Sequence, residues 1–149
     1  MKYILVATTI FAGDFFLKKH IEEQRDFKEE TKLFSGKVTV RKCHNRGMAL
    51  NYLEKCPKLV KNISGIIFLM IGILWYLCFK KKKNLGIMLA FSLIVGGGAS
   101  NFFDRVTKGY VIDYVSFQTP WKKLNHVVFN ISDLCIFLGS LLLVLFGRD

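Results

Sequence analysis

Two uncharged stretches decide the fold of this chain: ISGIIFLMIGILWYLCF at residues 63–79 and LGIMLAFSLIVGGGASNFF at residues 85–103. They contain 17 and 19 residues, close to the roughly 20 that a helix needs to cross the hydrocarbon of a bilayer. The segment between them, KKKKN at residues 80–84, is short and strongly basic. The pattern therefore predicts two antiparallel transmembrane helices joined by a tight turn.

Two further apolar stretches flank this pair. Residues 127–147 are apolar apart from a few polar side chains, and residues 3–17 form a weaker stretch interrupted by Gly13 and Asp14. A cleaved signal peptide is the alternative reading of the first stretch. Gly96–Gly98 predicts close helix packing in the third stretch. Together the four stretches predict an all-α integral membrane protein with four transmembrane helices, built as a single domain over residues 1–149.

The charges are segregated from the apolar residues. The chain has 149 residues, a net charge of +11 and 52% apolar residues, and residues 18–61 carry twelve Lys or Arg and six Asp or Glu. Such segregation excludes an ordinary globular domain, a disordered chain and a coiled coil. No aromatic-basic motif or zinc-knuckle spacing indicates nucleic acid. The cations flank apolar spans, which predicts contact with membrane lipid and no nucleic-acid partner.

The number of spans fixes which loops share a membrane face. With four spans, the loops at residues 18–62 and 104–126 lie on one side, and the basic turn and both termini lie on the other. The positive-inside rule places the residues 80–83 turn in the cytoplasm. The twelve cations of the long loop oppose this orientation, but its length and its six acids weaken the objection.

The long extracytoplasmic loop has signals of local structure. It begins with a Lys- and Glu-rich piece that is compatible with an amphipathic helix. Ser35-Gly36 predicts a turn, and Val38 to Val40 has the composition of a strand. We therefore expect a small β-element in the loop after the first helix.

The four cysteines indicate no metal site. Cys43 and Cys56 share the long loop, so they form either a disulfide or two unpaired thiols. Cys78 and Cys135 lie in apolar spans and are expected to pack as small hydrophobic residues. No CxxC pair is present, and we expect neither a metal nor a cofactor.

Four carboxylates lie at the shared membrane boundary. Asp133 is the seventh residue of the predicted fourth span, about 9 Å below its start at 1.5 Å rise per residue. An ionisable group at that depth is functional by default, although a structural acid bonded to a neighbouring helix is the alternative. Two converging carboxylates that share one proton suit aspartic peptidase chemistry. The four are Asp14, Asp104, Asp113 and Asp133.

Five blocks of sequence resemble one known family. GGASNFFDR at residues 97–105 followed by GYVIDY at residues 109–114 resembles the GGAxGNxxDR and GxVxDF blocks of lipoprotein signal peptidase, also called signal peptidase II. FNISD at residues 129–133 is similar to its FNxAD block. DFFLK at residues 14–18 and NRGMAL at residues 45–50 are similar to its DQxxK and NxGxAF blocks.

The resemblance implies an aspartic endopeptidase of the bacterial cytoplasmic membrane. Its substrates would be diacylglyceryl-modified prolipoproteins, cut just before the lipidated cysteine, and we expect the enzyme to act as a monomer. The catalytic pair of the family maps to Asp113 and Asp133. The family's supporting and substrate-binding residues map to Asp14, Lys18, Asn45, Gly47, Asn101, Asp104, Arg105, Gly109 and Asn130.

Four positions depart from the family pattern. Phe15 replaces Gln, Leu50 replaces Phe, Ser100 replaces Gly and Ser132 replaces Ala. We expect these changes to affect the range of substrates more than the reaction. Two alternatives remain open: a lipopeptide-binding paralogue that does not cleave, and a small proton-coupled transporter. The transporter would need no Asp113 and would not explain the Asn and Gly spacing.

Overall fold

The computed structural model describes residues 1–48, 52–120 and 124–147. Within these residues the chain forms four long helices and one three-stranded antiparallel sheet. The helices are α1 Lys2–Gln24, α2 Pro57–Lys80, α3 Leu85–Thr107 and α4 Ile131–Phe146. The strands are β1 Glu30–Leu33, β2 Val38–Asn45 and β3 Val111–Phe117, and a short 3₁₀ turn covers Leu124–His126.

Helix α3 is the centre of the bundle and packs against the other three helices. Its glycines make this possible. A Cβ at Gly96 would lie 2.6 Å from the carbonyl oxygen of Ala7, and a Cβ at Gly97 would lie 2.5 Å from that of Ser132. Any larger residue would push α1 or α4 away, so the close packing predicted for this stretch is confirmed.

Among the described residues, two helices have the length and hydropathy needed to cross a membrane, Pro57–Lys80 and Leu85–Thr107. Most residues of helix α2 are exposed, and of its residues, all of which the structure describes, Val60 alone is buried. Helix α4 is also apolar but has only 16 residues. The four-span arrangement therefore stays a prediction. Length and composition support two of its four helices as membrane spans.

The two outer helices differ from the predicted spans. Helix α1 continues to Gln24, so the Lys- and Glu-rich piece is its last part and not a separate helix. The predicted start of the fourth span at residue 127 is wrong, because Phe129 forms a β-bridge with Val115 and Asn130 caps a helix that begins at Ile131. Asp133 is therefore the third residue of its helix.

The predicted β-element is confirmed and larger than expected. β1 and β2 form a hairpin whose turn has positive φ at Phe34 (51°), Ser35 (55°) and Gly36 (86°). The third strand comes from the loop at residues 104–126: β3 pairs with β2 and places Asp113 opposite Cys43. The sheet therefore joins the two loops that parity places on one side of the membrane.

All four cysteines lie in the described residues, and each is an unpaired thiol. Of the two alternatives for Cys43 and Cys56, the structure has the unpaired thiols. Cys56 is exposed at the start of α2, whereas Cys43 is half-buried on β2. Burial, followed by the charge of Asp113, raises the pKa of the Cys43 thiol.

Candidate active site

Asp113 is held by two amides at the buried face of β3. Successive side chains of a strand point to opposite faces, so Asp113 and Tyr114 point in different directions. Asp113 Oδ1 accepts from Asn130 Nδ2 at 2.7 Å, and Asp113 Oδ2 accepts from Asn45 Nδ2 at 3.0 Å. Asn45 is two residues beyond Cys43, the partner of Asp113 across the strands, and it therefore reaches Asp113 diagonally on the same face.

Asp133 is held by the first turn of α4. The Asn130 side chain accepts from the Asp133 N–H at 2.8 Å, and Asp133 Oδ2 accepts from the Asn130 N–H at 3.2 Å. This reciprocal capping box satisfies two of the free amides at the helix N-terminus. The other oxygen, Asp133 Oδ1, accepts from Asn101 Nδ2 at 2.7 Å.

Asn130 connects the two carboxylates. Its side chain is fully buried, and its Nδ2 donates both to Asp113 Oδ1 and to Asn101 Oδ1, the latter at 3.1 Å. Its backbone and Oδ1 bind Asp133. The structure thus brings together Asp113, Asp133, Asn101, Asn130 and Asn45, which come from two helices, two strands and the cap of α4.

The carboxylate pair is surrounded by neutral donors. Among the described residues, no Lys, Arg or His forms an ion pair within 4.0 Å of Asp113 or Asp133. Burial, followed by the charge of Asp133, raises the pKa of Asp113 to about 7. One carboxylate of the pair can therefore hold a proton near neutral pH while the other is ionised. The described residues contain no group of three or more His, Cys, Asp or Glu suited to a metal ion.

Asp14 and Lys18 lie behind the carboxylate pair. They are four residues apart on α1, and Lys18 Nζ lies 2.8 Å from Asp14 Oδ2 and 3.1 Å from Asp104 Oδ2. Lys18 Nζ also donates to Asn101 Oδ1 at 2.7 Å. The relative exposures of Asp14 and Lys18 are 0% and 1%. Both side chains are buried, and the expectation that they shape the substrate-binding side stays a prediction.

The Asp14 carboxylate accepts hydrogen bonds from hydroxyl groups on three other elements. Its Oδ2 accepts from Ser100 Oγ at 2.7 Å and from Ser132 Oγ at 2.5 Å, and its Oδ1 accepts from Tyr114 OH at 2.8 Å. Tyr114 OH in turn accepts from the Ile131 N–H at 3.0 Å. The hydroxyls of Ser100 and Ser132 therefore face the buried Asp14. The expectation that these two substitutions affect the range of substrates stays a prediction.

The other two departures from the family pattern have different outcomes. Phe15 packs edge-on against Phe103 with ring centroids 5.6 Å apart, and it stacks on Phe11 at 6.1 Å. An aromatic contact between α1 and α3 thus takes the place of the family's Gln. Leu50 lies outside the described residues.

Asp104 pairs with two lysines. Its carboxylate contacts Lys18 at 3.1 Å and Lys108 at 2.8 Å, and it accepts weakly from the Ile112 N–H at 3.4 Å. We expected Asp104 to bind either Arg105 or an amide of the 104–126 loop, and the Ile112 N–H is such an amide. The guanidinium of Arg105 donates to two backbone carbonyls.

Arg105 ties the long loop to α3. One guanidinium nitrogen donates to the Gly47 carbonyl at 3.1 Å and another to the Asn101 carbonyl at 3.3 Å. The Gly47 N–H donates to Asn45 Oδ1 at 3.0 Å, which leaves the Asn45 Nδ2 free to bind Asp113. Gly109 has φ of +82° in the turn before β3, a conformation that favours glycine.

The sequence did not lead us to predict a role for two residues of this region, Lys108 and Tyr114. Lys108 pairs with Asp104 at the i, i+4 spacing of a helical ion pair, so the signal was present. Tyr114 follows a candidate catalytic acid, and strand alternation alone places it on the opposite face. Nothing in the sequence indicated that its hydroxyl would bind Asp14, which lies 100 residues away.

A second polar cluster fastens the sheet to the end of α1. Glu22 contacts His44 Nε2 at 2.9 Å and accepts from Tyr110 OH at 3.0 Å, while the rings of His44 and Tyr110 stack 3.9 Å apart. Lys42 donates to the Glu22 carbonyl at 3.1 Å. Burial, followed by the Glu22 carboxylate, raises the pKa of Tyr110. Because His44 precedes Asn45 on β2, this cluster fixes the strand that presents Asn45 to the site.

Comparison with known proteins identifies similar sequences over nearly the whole chain. A family model described as signal peptidase II matches residues 6–147. The chain is 33% identical over 142 residues to the lipoprotein signal peptidase of Wigglesworthia glossinidia brevipalpis, a match that covers 94% of this chain and 90% of that protein. It is 34% identical over 143 residues to the lipoprotein signal peptidase of Caldicellulosiruptor bescii, covering 96% and 88%.

The fold is similar to that of two solved structures. Both are described as a bacterial membrane enzyme determined by the in meso method, at 2.3 Å and 1.9 Å resolution. The TM-scores are 0.85 and 0.83, each at 25% sequence identity. The first match covers 97% of this chain and 85% of the other, and the second covers 99% and 93%.

Proposed function

This chain belongs to the signal peptidase II family, and from that premise we propose that it is an intramembrane aspartic endopeptidase with Asp113 and Asp133 as its catalytic pair. Its substrates are diacylglyceryl-modified prolipoproteins, and it cuts before the lipidated cysteine to release the signal peptide. The observation that supports the pair most directly is Asn130, whose side chain donates to the Asp113 carboxylate and whose backbone N–H donates to the Asp133 carboxylate.

The surroundings of the two acids suggest different roles for them. Asp133 is in the first turn of α4 and accepts a backbone N–H from Asn130, and a helix N-terminus favours the ionised form of a carboxyl group. Among the residues that the structure describes, two neutral amides bind Asp113. We therefore assign the shared proton of the ground state to Asp113 and the role of general base to Asp133.

The reaction follows from these roles. Ionised Asp133 removes a proton from a water molecule as the water oxygen bonds to the scissile carbonyl carbon. Protonated Asp113 gives its proton to the carbonyl oxygen, which produces a neutral tetrahedral diol. The diol then collapses: its C–N bond breaks, the amine nitrogen takes the proton held by Asp133, and a hydroxyl proton returns to Asp113. The pair ends with the one proton it began with.

We further propose that all four helices cross the bacterial cytoplasmic membrane. The 23 residues of α1 span about 35 Å at 1.5 Å per residue, which exceeds the roughly 30 Å of hydrocarbon. The polar residues of the site come from the C-terminal halves of α1 and α3 and from the start of α4, as a site at one membrane face requires. The basic turn at residues 80–83 and both termini then lie in the cytoplasm, and the sheet lies outside.

The decisive experiment is direct cleavage. Purified protein in detergent is incubated with a diacylglyceryl-modified prolipoprotein and with the same prolipoprotein lacking the lipid, and mass spectrometry identifies the new N-terminus. We expect cleavage of the lipidated substrate at the modified cysteine and little cleavage of the other. Binding without cleavage would contradict the proposal and favour the lipopeptide-binding alternative.

A further inference from the structure

One carboxylate oxygen behind the active site receives three buried donors. Asp14 Oδ2 lies 2.8 Å from Lys18 Nζ, 2.7 Å from Ser100 Oγ and 2.5 Å from Ser132 Oγ. None of the four side chains is more than 3% exposed. Ser100 is on α3 and Ser132 on α4, so this single oxygen links three helices. Substrate cannot reach these hydroxyls, and their effect on the reaction has to pass through neighbouring groups.

Lys18 connects the two serine hydroxyls to the active site. Its Nζ donates to Asn101 Oδ1 at 2.7 Å, and Asn101 Nδ2 donates to Asp133 Oδ1 at 2.7 Å. If the amide of Asn101 were flipped, its NH₂ group would face the ammonium of Lys18, and its oxygen would face the carboxylate of Asp133. Both contacts would be repulsive. Lys18 therefore sets the orientation in which Asn101 serves Asp133.

The ammonium has more acceptors around it than it has hydrogens. Lys18 Nζ has three N–H bonds, and four acceptor oxygens lie within 3.1 Å of it, on Asp14, Asp104, Asn101 and Ser100. A buried carboxylate that lacks other donors would draw the ammonium towards itself. The two serine hydroxyls satisfy Asp14 Oδ2 instead, and this leaves the ammonium available to Asn101.

We propose that Ser100 and Ser132 are positioning residues for the catalytic pair. By donating to Asp14 Oδ2 they keep Lys18 on Asn101, and Lys18 in turn keeps the Asn101 amide aimed at Asp133. The inference rests on the proposed function. The signal peptidase II blocks quoted above have Gly and Ala at these two positions, so the pair of hydroxyls is a property of this chain.

The test is the kinetics of variants that restore the family residues. We expect the double variant Ser100→Gly/Ser132→Ala to lower kcat about tenfold, with KM within about twofold of the wild type, because the hydroxyls act on the transition state and not on substrate binding. Ser92→Ala is the matched control, since Ser92 is a fully buried serine of α3 whose hydroxyl bonds only to the Met88 carbonyl, at 2.8 Å. Its kcat should not change.

A double-mutant cycle tests the route through Asp14. If the serines act through that carboxylate, adding both serine changes to Asp14→Asn should lower kcat by less than about twofold further. Should the combined variants fold poorly, the single variants Ser100→Ala and Ser132→Ala decide the question, each with an expected loss of about threefold.

Several results would overturn the inference. They are an unchanged kcat in the folded double variant, a raised KM with an unchanged kcat, and full additivity with Asp14→Asn. If the wild type cleaves and Asp113→Asn does not, these results remove only the role of the serines. If the wild type fails to cleave lipidated substrate, or Asp113→Asn remains active, the proposed function fails and the inference fails with it.

Discussion

The side-chain amide of Asn130 donates a 2.7 Å hydrogen bond to Asp113 Oδ1, so the strand that carries one carboxylate is tied to the cap of the helix that carries the other. The tie is short in sequence, 17 residues. The strand and the helix each have a fixed geometry. Because Asn130 caps α4 and also bonds to Asp113 on β3, it sets the relative position of the two acids.

The first prediction concerns the carboxylate pair. Asp113→Asn and Asp133→Asn should each reduce the cleavage rate by about 10³-fold or more, and the double variant should be scarcely worse, because residues that act as one unit are not additive. The rate is measured with lipidated substrate and normalised to folded protein. Asp26→Asn, a change to an exposed carboxylate outside the bundle, serves as the control. Substantial activity in folded Asp113→Asn would remove Asp113 from the pair.

The second prediction distinguishes the capping of α4 by Asn130 from its hydrogen bond to Asp113. Serine is a good N-cap but is too short to reach Asp113, so Asn130→Ser should leave the Tm nearly unchanged while kcat falls about 10²-fold. Asn84→Ser is the matched control, since Asn84 caps α3 by accepting from the Ile87 N–H at 2.9 Å far from the site. Equal activity in the two variants would show that Asn130 is only a cap.

The third prediction is a pH dependence. The pKa of Asp113 is raised to about 7 by burial and by the charge of Asp133, so kcat/KM should fall as the pH rises above about 7 and the pair loses its shared proton. Asn45 donates to the ionised form of Asp113 and lowers its pKa. In Asn45→Ala, the fall of kcat/KM on the alkaline side of the pH–rate profile should therefore occur at higher pH.

The pH–rate profile of Asn62→Ala, a change to an exposed asparagine of α2, is the control for this shift. An alkaline limb that moves to lower pH in Asn45→Ala would contradict the assignment of the proton to Asp113.

The fourth prediction concerns Asp104, which is buried between two lysines. Asp104→Asn should lower the free energy of unfolding by about 1–3 kcal/mol, because Lys18 and Lys108 lose a charged partner. Activity per folded molecule should fall less than in Asp113→Asn. Denaturation in detergent measures the stability, with Glu23→Gln in the exposed Lys19–Glu23 pair as the control. Loss of activity without loss of stability would assign Asp104 to the chemistry.

The fifth prediction is the topology. In a cysteine-free background, Lys82→Cys should react with an impermeant thiol reagent only after the cytoplasmic face is opened. Lys32→Cys on β1 should react from outside in intact cells. Reaction of residue 82 from outside would reverse the proposed orientation.

Local signals in the sequence predicted parts of the sheet. The turn at Ser35-Gly36 and the strand at Val38 to Val40 follow from residue type, because glycine permits positive φ and β-branched residues favour strands. The pairing of β2 with β3 has no such local signal. Its register brings Asn45 to Asp113 across 68 residues, and only the packing of both loops on one face of the bundle decides it.

The start of α4 shows a different limit. Val127 to Phe129 has the hydropathy of a membrane helix, yet Phe129 pairs with Val115 in a β-bridge. The spacing of Asn130 and Asp133 is that of a capping box, and it marks the true helix start. We interpreted those two residues only through their chemistry. The same side chains also determine where the helix begins.

The exposure of α2 has a consequence for sequence variation. Most of its side chains are exposed, and Val60 is its single buried residue, whereas α3 is buried among three helices and two of its glycines have backbone atoms against them. Lipid requires only that a side chain be apolar, while a packed neighbour requires a particular shape. Related chains should therefore exchange Ile, Leu, Phe and Val freely along α2 at constant hydropathy, and the evolutionary rate should fall sharply on passing the lysine turn into α3.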